Sequence, residues 1–193
     1  MESVLAQTLT GRGDSDRHAL TLYSLVISLK ARNVLELGVR NGDTTRPPVE
    51  ACRCIGATLT SVDVAPTPFT TDYPNWNFIQ SDAIKYIESV PATVHWDLVY
   101  IDDWHAYPHV KRELELLDAH VSPRSLIVLH DLMYANYEPH YHCDLQVKDG
   151  QWALGGPYRA VAELSENFWE FVTVPVNNGL TILRKKYSSK FFT

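Results

Sequence analysis

The sequence predicts an α/β fold: a Rossmann-like, doubly wound sheet of seven strands, mostly parallel, with an antiparallel C-terminal hairpin strand. Two observations carry this expectation. Short apolar runs such as LVYI (98–101) and LIVL (126–129) alternate with segments of helical periodicity. Strands buried on both faces of a parallel sheet read as continuous apolar runs of this kind. A third observation sits near the C-terminus, where two short strands flank Asn177-Asn178-Gly179, a hairpin signal.

Each element follows from local chemistry. After a polar start, Ser15 or Asp16 is placed to cap a helix with Ala19, Leu22, Leu25, Val26 and Leu29 along it. The stretch 33–37 reads as a buried strand ending in Gly38. A helix is expected from Thr44 or Thr45, because Pro47 and Pro48 fit only a first turn, where their missing N–H groups cost nothing. Strands follow at 58–64 and 76–80, separated by a proline-rich loop over 66–75. Asp82 opens a helix with Ile84, Ile87 and Val90 on one side. The strand 97–101 ends in Asp102-Asp103, and a helix over 107–120 presents Val110, Leu114 and Leu117 as a core stripe. A fifth strand, 125–129, ends in His130-Asp131. Residues 132–156 form a long aromatic loop, a helix spans 157–168, and strands at 171–175 and 180–184 close the chain.

These elements make one domain over 1–193, with an N-terminal arm and helix over 1–31 and a substrate lid over 132–156. The chain has 193 residues, 45% hydrophobic and 21% charged, with a formal net charge of −6. An acidic surface argues against general nucleic-acid or anionic-membrane binding. No run approaches the ~20 apolar residues of a membrane span. The start of the chain lacks the basic and apolar regions of a signal peptide. Cys52, Cys54 and Cys143 have neither zinc nor disulfide-framework spacing, so all three are read as reduced and the protein as cytoplasmic. The aromatic loop offers a surface for a second copy, so a homo-oligomer is one expected partner; a small-molecule substrate is the other.

Ligands of open α/β sheets bind outside the carboxyl ends of the strands. Glu36, Gly38, Gly42, Asp63, Asp82, Asp102, His130 and Asp131 all fall at those ends. Glycine at 38 and 42 permits a sharp bend and close approach of a ligand, or simply marks the strand-to-helix turn. Arg40 stands where a dinucleotide fingerprint needs its middle glycine, and Glu36 ahead of the turn repels a pyrophosphate. That ranks a nicotinamide-dependent oxidoreductase low. Glu36 suits the cationic amino-acid end of a ligand, or orders the loop. Asp63 is placed to accept from ribose hydroxyls and Asp82 from an adenine amino group; both also suit turn or cap roles.

With VLELGVRNGDTT (34–45), SVDV (61–64), SDA (81–83), DLVYIDDWHAYPHVKRELELL (97–117) and SLIVLHD (125–131), the sequence resembles the class I S-adenosylmethionine-dependent methyltransferases. It is most similar to the small-molecule O-methyltransferase branch, methyltransferase domain 24. The resemblance spans residues 16–186. It implies that Glu36, Gly38 and Gly42 line the methionine side of S-adenosylmethionine, that Asp63 holds the ribose, and that Asp82 with Ala83 holds the adenine. It further implies a divalent metal on Asp102, His130 and Asp131, with His105 and Asp102 as catalytic groups and His105 as general base. His130 stands where better-known metal users have an acid; an imidazole with two carboxylates suits Mn²⁺, Fe²⁺ or Zn²⁺ better than Mg²⁺. Asp103 replaces the usual glycine, as a turn residue or as a second carboxylate in the site. His105 also reads as a capping or surface histidine, and His130 as a buried structural one. The implied reaction is O-methylation of a sugar, polyketide or phenol. The non-enzymatic alternative is a methyltransferase-like binding or scaffold domain.

Overall fold

The computed structural model describes residues 2–11, 13, 15–132, 156–164 and 166–187. Seven strands form one sheet in the order β3-β2-β1-β4-β5-β7-β6. They are β1 (Asn33–Leu37), β2 (Thr58–Asp63), β3 (Trp76–Gln80), β4 (Leu98–Ile101), β5 (Leu126–His130), β6 (Trp169–Val174) and β7 (Leu180–Lys185). The first five pair in parallel. β7 runs antiparallel to both β5 and β6. The helices are α1 (Glu2–Thr10), α2 (Ala19–Leu29), α3 (Arg46–Ile55), α4 (Ala83–Ser89), α5 (Tyr107–Leu117) and α6 (Gly156–Ala162).

The doubly buried strands explain the apolar runs. Successive side chains of a strand point to opposite faces, and the two faces build separate cores. Leu35, Leu37, Val99, Ile101, Ile127 and Leu129 pack with α4, α5 and α6. Val34, Leu59, Leu98, Tyr100 and Val128 pack with α1, α2 and α3. Among the described residues no helix is long and apolar enough to cross a membrane. Cys52 is buried and Cys54 exposed, both as free thiols; Cys143 lies outside the described residues, as does nearly all of the expected lid.

Four expectations need correction. The polar start contains α1, anchored by fully buried Val4. Ser15 and Asp16 do not cap α2; they open a 3-10 turn, Ser15–His18, because Asp16 accepts from Gln7 Nε2 at 2.8 Å and from Gly13 N at 2.7 Å. β5 lies one residue later than expected, at Leu126–His130, since His130 still pairs with Leu180. The helix after Pro157 stops at Ala162 instead of 168, and β6 starts at Trp169, which pairs with Lys185 and enters the core.

The proline-rich loop between β2 and β3 is fixed by Tyr73. Its buried hydroxyl reaches the carbonyls of Cys52 at 2.9 Å and Ala57 at 2.5 Å, tying the loop to the end of α3. Tyr73→Phe removes the one O–H proton that the two carbonyls share, Cys52 O keeping its bond from Ala57 N, at a cost of about 1–3 kcal/mol. Urea unfolding should show a lower midpoint with an unchanged slope.

Candidate active site

Strand order reverses between β1 and β4, and there the two carboxyl ends come into contact. Asp102 N donates to Leu37 O at 2.8 Å. Gly38 adopts φ +91°, and a Cβ built on it would lie 2.3 Å from the Asp102 carbonyl oxygen. Only glycine fits. The loop that follows contains Arg40 at φ 45°, a left-handed conformation rare for a side chain of this type. Asp63 holds it there: its Oδ2 accepts from Val39 N at 2.8 Å and Arg40 N at 3.0 Å, and its Oδ1 from Ala65 N at 2.9 Å. Burial raises the Asp63 pKa, but those amides outweigh it and hold the carboxyl below its ordinary value.

Glu36 lies beneath this loop with no exposure. Its carboxylate accepts from Thr44 Oγ1, Thr45 Oγ1 and Ser61 Oγ at 2.9, 3.0 and 2.5 Å. These three bonds tie Glu36 to the residues that open α3 and to β2. Thr45 therefore makes no side-chain cap at the start of α3. Gly42, at φ +83°, faces Phe69, whose ring would be 2.4 Å from a Cβ. It makes room for that ring and does not border either hollow of the site.

A cavity of about 290 Å³ opens over the strand ends. Gly38, Asp63, Asp82, Ala83, Asp102 and Trp104 line it. Across Arg40 a second hollow, about 130 Å³, is lined by Gly38, Thr44 and Asp102 together with Ser15. Asp82 also caps α4, accepting from Lys85 N at 3.0 Å, so both of its expected roles coexist. A larger hollow of about 420 Å³ between α5 and α6, lined by Lys111, Glu163 and Trp169, holds none of the strand-end residues.

Asp102 brings the remaining groups together. Its Oδ1 lies 3.5 Å from His105 Nε2 and 3.4 Å from His130 Nδ1, and its Oδ2 accepts from Tyr100 OH at 3.0 Å. Asp131 reaches His105 Nε2 at 3.1 Å and His130 Nδ1 at 2.8 Å. Asp131 sits at φ 64°, a second strained residue at the site. Burial opposes charge on Asp102, His105 and His130, but pairing prevails. His130 is pushed up to about 10 by Asp102 and Asp131, and His105 also lies above its ordinary value. Asp102 is held well below the usual carboxylate range by the two histidines. The histidines differ in access: the His130 side chain is 1% exposed and that of His105 is 21%.

The residue set was incomplete from sequence. Tyr100 precedes Asp102 by two positions on the same strand face, a readable signal. His18 packs edge-on against His130, with ring centroids 5.3 Å apart, and nothing local in the sequence points to that. Asp103 does not join the Asp102 group. Its Oδ2 pairs instead with His109 Nε2 at 2.9 Å.

A family model for a methyltransferase domain, methyltransferase domain 24, matches residues 35–132. The chain belongs to this family and has an S-adenosylmethionine-dependent methyltransferase domain and fold. No curated protein matches the sequence. Among solved structures it is similar to the O-methyltransferase TomG from Streptomyces achromogenes, of tomaymycin synthesis, at 12% identity and TM-score 0.65, covering 96% of this chain and 89% of that one. It is similar to an O-methyltransferase from Bacillus cereus at 14% identity and TM-score 0.61, covering 96% and 88%. CalS11, a TDP-rhamnose 3′-O-methyltransferase of calicheamicin biosynthesis, matches at 16% identity and TM-score 0.61, covering 95% and 86%. A nicotinamide-dependent oxidoreductase does not agree with the family.

Burial pushes the Glu36 carboxyl up to about 7, against the donors of Ser61, Thr45 and Thr44. A carboxyl whose pKa is raised on folding stabilises the fold fully below about 4.5, and that contribution fades as pH climbs through about 7. It is worth about 3 kcal/mol at most. Glu36→Gln should therefore lose little at pH 7–8 and more near pH 5. Thermal midpoints of both proteins across pH 5–8 check this, the gap between them narrowing as pH rises.

Proposed function

We propose that this protein transfers the methyl group of S-adenosylmethionine to a hydroxyl of a small molecule, such as a sugar, polyketide or phenol. The observation that carries the reading is the juxtaposition, across Asp102, of an acid-lined cavity with a buried Asp–His cluster. The names of the similar structures, O-methyltransferases of small molecules, support the choice of a hydroxyl acceptor.

Asp63 retains charge and some acceptor capacity at the wall of the 290 Å³ cavity, which suits a ribose hydroxyl. Asp82 and Ala83 border the same space and suit the adenine. Gly38 and Asp102 line both hollows, so an extended nucleoside amino acid would cross from one to the other at this point. Glu36 acts at one remove, fixing Thr44 and Thr45 under the loop.

Methyl transfer from a sulfonium is an in-line displacement: the acceptor oxygen bonds to the methyl carbon as the sulfur–carbon bond breaks, leaving a neutral thioether. The enzyme chiefly aligns the two reactants. The hydroxyl proton must leave, and the partly exposed imidazole of His105 is the base. His130 is too buried to touch an acceptor. Asp102 and Asp131 orient His105 and set its basicity; neutralising them lowers His105 toward its ordinary range, where it accepts a proton near pH 7.

The residues also fit a divalent ion. Among the described residues, His130 Nδ1 and Nε2 and Asp131 Oδ1 are buried without a hydrogen-bond partner. His130 Nδ1 lies 3.4 Å from Asp102 Oδ1 and 2.8 Å from Asp131 Oδ1. One ligand atom each of Asp102, His105 and Asp131 lies within 4.8 Å of the others, with His130 Nδ1 beside the same two carboxylates, so Asp102 and Asp131 with an imidazole would hold the ion, which lowers the pKa of a bound hydroxyl. A cytoplasmic location suits the reduced thiols.

Calorimetry should detect S-adenosylmethionine binding, and Asp63→Ala should weaken it at least ~10-fold, as loss of a charged hydrogen bond does. Unchanged affinity in that variant rejects the ribose assignment. His105→Ala should lower kcat by about 10²–10⁴ while cofactor affinity holds; equal losses in both would make His105 structural. Dialysis against a chelator should reduce turnover, and addition of Mn²⁺ should restore it.

A further inference from the structure

A second cluster lies on the other side of the turn that follows β4. His109 and Glu113 stand four residues apart on α5 and share one helix face. Asp103, in the turn before the helix, reaches the same point. One donor atom from each of the three lies within 4.8 Å of the others. His109 Nε2 is 2.9 Å from Asp103 Oδ2 and 3.6 Å from Glu113 Oε1. Around a four-coordinate zinc with ligands at about 2.0–2.1 Å, neighbouring donor atoms stand about 3.3 Å apart. The observed separations bracket that value.

An independent observation points to a ligand. Glu113 has no exposure, and among the described residues neither of its oxygens has a hydrogen-bond partner. Asp103 Oδ1 is likewise without one. A buried carboxyl keeps its charge only when it is paired with a cation or bound to a metal. The other basic residues of α5 are engaged elsewhere, Lys111 with Glu163 and Arg112 with Glu88 and Glu115, which leaves His109, 3.6 Å away, as the α5 base facing Glu113. The neighbours of Glu113 on the helix face, Val110, Leu114 and Leu117, supply no donor.

We infer that Asp103, His109 and Glu113 form a metal site of their own, separate from the Asp102 group, that binds a divalent transition ion such as Zn²⁺. The imidazole disfavours Mg²⁺ and Ca²⁺, which prefer all-oxygen shells. Asp103 and His109 also line the 290 Å³ cavity over the strand ends, beside Trp104 and Asp82. A fourth coordination position therefore opens toward the end of the cavity assigned to the base. The ion ties the turn after β4 to α5 and fixes that wall. This site does not depend on the proposed methyl transfer.

The test uses the full chain, stripped with a chelator and titrated with Co²⁺ as a visible probe for the zinc position. Asp131→Asn removes a ligand of the Asp102 group and should still take up one equivalent of Co²⁺, with visible absorption lost on adding Zn²⁺. Adding His109→Gln to that variant should abolish the equivalent, along with the rise in Tm that Zn²⁺ produces. Far-UV circular dichroism reports folding; should the His109 variant not fold, Asp103→Asn, at a partly exposed turn, takes its place. Retention of the Co²⁺ equivalent in the folded double variant, or no uptake by Asp131→Asn alone, overturns the site.

Discussion

Everything at the site depends on how closely two strand ends approach. β1 and β4 are neighbours, yet the chain leaves them toward opposite sides of the strand order, so their carboxyl ends open a crevice. The crevice is narrow because the backbone of Gly38 touches that of Asp102. A side chain at 38 would separate the two loops and with them the acids that each presents. Asp63 and Asp102 belong to different strands, and this single contact sets their spacing across the cavity.

The concentration of carboxylates at that rim needs compensation, and the protein supplies it in three distinct ways. Backbone amides answer Asp63. Hydroxyls answer Glu36, whose carboxyl burial pushes up to about 7. Imidazoles answer Asp102 and Asp131. Amides and hydroxyls are fixed dipoles, suited to holding a loop. Imidazoles exchange protons and bind metals, suited to chemistry. Compensation type thus sorts the acids into positioning and reactive groups.

Strain marks the same boundary. Arg40 and Asp131 adopt left-handed backbone at the ends of β1 and β5, on either flank of Asp102. Arg40 is held there by Asp63, and Asp131 by its amide donating to Gly179 O at 3.1 Å. Conformations of this kind persist where the surroundings over-determine them, and they cluster at functional sites. The hairpin turn thus reaches from the far end of the sheet into the reactive group.

The sequence by itself determined the order and type of most elements, because burial on both faces of a parallel sheet leaves apolar runs that no other arrangement needs. The acids at the strand ends were legible for the same reason: a polar residue closing such a run must face solvent or a site. What lay out of reach was anything set by distant partners. Ser15 and Asp16 read as caps until Gln7 and Gly13, brought in by α1, claimed Asp16. Glu36 read as a ligand contact or as loop support, and its convergence with Thr44, Thr45 and Ser61 is set by packing alone. Asp103 and Asp102 are adjacent in the chain and serve different clusters, since successive positions at a strand end diverge and helix α5 presents His109 and Glu113 to one of them alone. Local pattern fixes periodicity and strand ends; which side chains meet depends on packing between segments far apart in the chain, and so belongs to the tertiary structure.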